Sequence, residues 1–247
     1  AGAAVTTGVQ NTFIGALSGD ALTLGGNNVS LGYQALTTDT QGSSSVALGA
    51  FALSTQNSTS EVNMYNTAVG KSAGAAVTTG VKNTFLGGLA GDATTDADEN
   101  VAIGYDSLGT NILGGASVAV GASALRTQNP ASAVTMYNTA VGHFAGYAVT
   151  TGVQNTLIGG LAGDANTTAD NMTAVGYQAL TTYNRTDGAN SNNTAVGAGA
   201  FLALTTGNAN TAVGSEAGAN QQGAANCTFI GYRAGKDSTG ESNTFVG

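Results

Sequence analysis

Residues 66–70, NTAVG, return unchanged at 138–142, 193–197 and 210–214, with many near copies between them. Aligned on the closing glycine, the whole chain divides into fourteen units that end at Gly15, Gly32, Gly49, Gly70, Gly87, Gly104, Gly121, Gly142, Gly159, Gly176, Gly197, Gly214, Gly231 and Gly247. The glycine numbers advance by 17, as from Gly15 to Gly32, apart from three steps of 21 and a last one of 16. A repeat of this length carried from end to end is the signature of a stacked architecture, in which each unit buries its apolar face only against its neighbours.

Within a unit the residue before the glycine is Val, Ile or Leu, as in Ile14, Leu31, Val69 and Ile230, and the residue three before it is Thr or Val, as in Thr12, Val29 and Thr67. Two such positions lie on one face of a strand, and β-branched residues favour that conformation. This pair is expected to face the core. The alternating Ala and Gly positions are expected to leave a thin outer face. Asn dominates four residues before the glycine (Asn11, Asn66, Asn100, Asn155, Asn210) and reads as a corner, since Asn tolerates the left-handed region and bonds nearby backbone. The four-residue insertions fall at 54–65 and 126–137 (STQNSTSEVNMY and RTQNPASAVTMY) and near 181–192, outside the strand, which marks exposed corners.

No segment carries a helical apolar stripe, and Gly and β-branched residues recur too often for helix. The fold expected is therefore all-β, a parallel β-solenoid of about fourteen coils of mostly 17 residues. At about 4.8 Å per coil, fourteen coils make a rod of roughly 65–70 Å. A second, 72-residue period lies on the first: AGAAVTTGVQNTFIGALSGDA at 1–21 returns at 73–93 and 145–165, with a decayed copy from Ala217. The chain reads as one repetitive segment, 1–247, with super-repeats 1–72, 73–144, 145–216 and a partial 217–247, cut from a longer fibre protein.

Charged residues make up 8% of the chain against about 25% in typical domains, and the net charge is −8, with no basic run to serve as a nucleic-acid footprint. No apolar run reaches the roughly 18 residues that a membrane span needs. The single cysteine, Cys227, excludes an internal disulfide framework and reads as a buried small residue at an Asn corner.

Units such as NTAVG, VAIGYDSL (101–108), SVAVGASAL (117–125) and TAVGYQAL (173–180) resemble the head repeats of trimeric autotransporter adhesins, and more closely the NTAVGYQAL repeats of phage tail-fibre and tail-spike-like proteins and of large bacterial surface proteins. The resemblance covers the whole chain. It implies a left-handed β-roll, three chains wound into one fibre, a role as stalk or adhesive head, and an extracellular place on a virion appendage or a bacterial surface.

Phe13, Phe85, Leu157 and Phe229 punctuate the Ala and Gly positions once in every super-repeat. They read either as knobs of an inter-chain packing face or as part of a thin coil in which Ala and Gly simply fit.

Little points to chemistry. His143, the only histidine, follows a repeat glycine where Lys71 and Ser215 stand in sister units, and reads as surface. Asp20, Asp92 and Asp164 hold one equivalent place in successive super-repeats, too far apart along one chain to act together. No phosphate loop, Ca²⁺ loop or zinc spacing occurs, so neither catalytic, cofactor nor metal residues are assigned and no enzyme is expected. The leading expectation is a structural fibre segment that presents a receptor-binding tip, with itself as partner in a homotrimer. An alternative is a glycan- or host-surface-binding module using tyrosines in or beside the loops, foremost Tyr65, Tyr137 and Tyr183. Ice binding is the third class, against which Thr-x-Thr rows on consecutive coils are missing.

Overall fold

The structure is a computed structural model that describes residues 1–188 and 190–247. Among these residues the chain is all-β: every NTAVG-like unit forms one three-residue strand that ends on the residue before its repeat glycine, and no helix is present. The residues form two compact units, 1–117 with 129–135, and 118–128 with 136–247.

In the first unit β1 (Thr12–Ile14), β2 (Val29–Leu31), β3 (Val46–Leu48), β4 (Thr67–Val69), β5 (Thr84–Leu86) and β6 (Val101–Ile103) pair in parallel, each with the next in sequence. The register is strict: Thr67 faces Thr84, Ala68 faces Phe85 and Val69 faces Leu86. A short second pair, β7 (Gly114–Gly115) and β9 (Val134–Thr135), ties the end of one insertion to a coil corner. In the second unit β8 (Val118–Val120), β10 (Thr139–Val141), β11 (Thr156–Ile158), β12 (Thr173–Val175), β13 (Thr194–Val196), β14 (Thr211–Val213), β15 (Thr228–Ile230) and β16 (Thr244–Val246) repeat the arrangement. The β-solenoid of some fourteen turns is thus present as the spacing predicts.

Left-handed residues bend each coil. Positive φ recurs five residues before the glycine (Asn27, Lys82, Gln154), two after it (Gln34, Asp106, Gln178) and four after it (Leu36, Leu108, Leu180). Non-glycine residues adopt such φ values in only a few per cent of cases elsewhere. Here their cost is offset because bent backbone amides find carbonyls on the adjacent coil, as in Gln34 N–H to Ala16 O at 3.0 Å and Leu36 N–H to Ala52 O at 3.0 Å. The repeat glycine itself is required twice over. Gly70 sits at φ 136°, and a Cβ there would lie 2.5 Å from the Gly87 carbonyl oxygen.

The expected inside and outside of the strand are reversed. In nearly every strand the central residue is the most buried and its two neighbours are half-buried or exposed. The coil is too narrow for two columns of Val and Thr, so Ala takes the interior and the larger pair points out. Phe85, Leu157 and Phe229 are completely buried within the chain's own coils, with Phe13 partly so. They are core residues, which corrects their reading as inter-chain knobs.

This placement explains the 72-residue code. Where the strand centre is Ala or Ser and the centre of the next coil is neither Phe nor Leu, the residue four after a repeat glycine is large and buried: Leu36, Leu53, Leu108, Leu125, Leu180, Phe201. Where the centre is Phe or Leu, that residue is Gly in the same coil and in the one before. A Cβ on Gly91 would lie 2.3 Å from the Phe85 ring, on Gly74 2.7 Å from it, and on Gly235 2.3 Å from Phe229. Large and small residues exchange between two columns so that each coil encloses a similar volume.

Asparagine is a rung rather than a corner, the left-handed residue being the one before it. Asn83 takes Asn100 N–H on its Oδ1 at 2.9 Å and donates from Nδ2 to Ala97 O at 2.8 Å. Asn66, Asn100, Asn155 and Asn210 repeat the bond pair, all buried. The ladder stops at Ser45, Ser117, Met172 and Cys227. These are the units followed by a step other than 17, so the carbonyl an Asn would reach is displaced. Beyond two of the insertions Gln takes over, Gln56 accepting from Asn66 Nδ2 at 2.9 Å and Gln128 from Asn138 Nδ2 at 2.9 Å. Cys227 is buried, as read. One carboxylate also lies inside: Asp39 accepts from Gly42 N–H at 2.9 Å, Ser58 N–H at 3.2 Å and Gln56 Nε2 at 2.5 Å.

Candidate functional site

The surface that results from the inversion is the outward face of the strands. One column holds the residue before each glycine, an aliphatic in every coil, exposed to between 36% at Val196 and 76% at Val246 for nine of its members. The other holds Thr or Val two residues earlier, half-buried in most coils. Neither column contains a charged residue in any of the fourteen units. Soluble monomers rarely expose apolar rows that continue in this way.

Tyrosines stand along both edges of this face. Tyr33, Tyr105, Tyr177 and Tyr232 follow the repeat glycine, and Tyr65 and Tyr137 precede the Asn rung. Of the three tyrosines singled out for glycan contact, Tyr65 and Tyr137 are exposed, at 56% and 62%. Tyr183 is not available: it is fully buried, seven residues after Gly176, where sister coils place Gln56 and Gln128. Burial pushes its phenol pKa up. Sequence reasoning missed the aliphatic face itself, although its signal, a large residue at every unit beside an invariant small one, was visible.

The loops behave as the insertions predict. Residues 59–62 and 131–135 are exposed, and each insertion rejoins the coil by parallel pairing, Ser43 with Asn63 and Gly114 with Val134. A cleft of about 350 Å³ beside the second is lined by Asp96, Asp98 and Glu99. Its carboxylates are already engaged. The Thr78 and Thr79 hydroxyls donate to Asp96 and hold its pKa below the usual range, Val81 N–H donates to Asp98, and Lys82 pairs with Glu99 at 3.0 Å. Another cleft, of about 450 Å³, is lined by Asn184, Arg185, Asp187, Asn208 and Glu241, with Arg185 and Asp187 paired to each other. His143 is exposed and lies against Phe144, the ring centroids 4.1 Å apart and the rings tilted by 58°. Among the described residues no group of His, Cys, Asp and Glu is arranged to hold a metal ion.

Comparison with protein-family models, with curated proteins and with solved structures gives no match to this chain.

Proposed function

We propose that this chain is a structural segment of an extracellular fibre, assembled from copies of itself through the outward strand face. The observation that supports this is the aliphatic column, exposed in a chain whose core is already filled. A stable interface buries ~800 Å² per partner, and the rows of two uncharged residues continue from coil to coil within each unit to build such a face. A second copy is the partner whose rows recur at the matching interval. The repeat motifs resemble those of three-stranded fibres, which gives the number three and a place on a virion appendage or a bacterial surface.

The experiment replaces exposed members of the column with lysine. In Val141→Lys/Ile158→Lys/Val213→Lys the assembled protein should fall to monomers while its far-ultraviolet dichroism stays that of the parent, because each side chain already points away from its own core. Retention of the parental mass would remove the face from the assembly. The Thr column of β10 to β16, seven consecutive coils, favours a second reading, ice binding by a monomer; thermal hysteresis of the unmodified segment would mark it.

A further inference from the structure

An interface made of one repeated row has a weakness: a copy displaced by one coil meets the same Thr or Val and the same aliphatic column in every row it still covers. Something beside the strand columns must tell one coil from the next. The position after the repeat glycine does so. It is Tyr at 33, 105 and 177, and the three coils between hold Ala50, Lys71 and Gly88, then Ala122, His143 and Gly160; Tyr232, three coils after Tyr177 with Ala198 and Ser215 between, falls outside this spacing.

These rings are half-exposed or more, yet each is seated by its own chain. Tyr33 meets Phe51 edge-on at 5.4 Å. Tyr105 and Tyr177 lean over the glycine of the preceding coil, where a Cβ on Gly88 or Gly160 would lie 3.7 or 3.5 Å from the ring. A large side chain held in place beside an apolar face is a knob with little ordering cost left on contact. The opposite edge carries exposed tyrosines at the same spacing. Tyr65 and Tyr137, again one super-repeat apart, alternate with Lys82, Glu99 and Ala116.

We infer that Tyr33, Tyr65, Tyr105, Tyr137 and Tyr177 set the axial register between copies of this chain. The inference rests on the strand face being the copy-to-copy contact. Shifts of one, two or three coils bring Tyr33 and Tyr105 against Ala, Lys, His or Gly, and Tyr65 against Lys82, Glu99 or Ala116, whereas the aliphatic rows alone do not resist them. Tyr33 and Tyr105 stand four coils apart within one unit, which makes the 72-residue period an assembly code as well as a packing code.

The test uses the full chain with Cys227→Ser, the residue that ends the Asn ladder at Ser45 and Ser117, and a spin label on Ser60→Cys in the exposed loop. Mass is measured first, then the distances between labels on different copies. The parent should give one narrow inter-copy distance. With all five tyrosines changed to alanine the mass should persist, while the fraction of pairs at that distance falls by at least half in favour of longer ones. An unchanged narrow distance at unchanged mass would overturn the register role and leave the interface standing; a monomeric parent would overturn both. Should the alanine variant dissociate, the five-leucine variant reads the register instead, since it keeps apolar bulk without the ring. Dissociation of that variant too would assign the tyrosines to affinity and overturn the register role.

Discussion

Asn155 shows how much one side chain does in this molecule. It receives Met172 N–H at 2.9 Å and gives a hydrogen bond to Ala169 O at 3.0 Å, both inside the coil stack. Asn155→Ala leaves the buried Met172 N–H without a partner, while Ala169 O keeps the hydrogen bond from Asn166 Nδ2 at 3.1 Å, and denaturant unfolding should register a loss of about 1–3 kcal/mol. The outer charges work differently. Arg233, 2.9 Å from the Glu216 carboxylate, and Lys236, 2.5 Å from it, hold the Glu216 pKa down to about 2. A depressed carboxylate pKa means that the pairing is complete above the ordinary value near 4.5 and is lost as pH falls through about 2. Titration of Glu216 followed by carbon NMR should find that midpoint, and Arg233→Gln should move it upward. A midpoint near the ordinary value in the parent protein would refute the pairing in solution.

A coil is held by agreement between columns. Phe85 at the centre of β5 and Gly91 four residues after Gly87 occupy one shared volume. Phe85→Ala alone should cost about 3–5 kcal/mol through the cavity it opens. Gly91→Leu alone should be equally damaging, with a Cβ 2.3 Å from the ring. Combined, they recreate the pairing of Ala102 with Leu108 in the next coil, where leucine already sits at φ 50°. The double variant should recover most of the loss, so that a double-mutant cycle gives a large favourable coupling. Simple additivity would refute the volume exchange. The same pair of columns marks the limit of what was legible in the sequence. Unit length, strand position and loop position follow from where Gly, β-branched residues and insertions fall. Which strand face is internal does not, because alternation is symmetric and only the coil's width decides between Ala and Val. The Asn rungs were legible in principle: Ser45, Ser117, Met172 and Cys227 replace Asn only where the following step departs from 17.

For the molecule as a whole, the inversion moves the question of function from loops to the strand face. Tyr183 leaves the list of surface contacts because it fills a coil, and Phe85, Leu157 and Phe229 leave it because they are core. What stays outside is an aliphatic residue in every unit, flanked by Thr or Val and bordered by tyrosines. Burial of that column removes apolar surface from water in proportion to its length, at roughly 25 cal/mol per Å², so assembly should tighten with each added coil. Sedimentation equilibrium of the unmodified chain tests self-assembly most directly. One chain has a mass of 24.0 kDa. The expected species has three times that mass and persists on dilution to micromolar concentration and below; a species of 24.0 kDa at every concentration would contradict the trimer and the role given to the strand face.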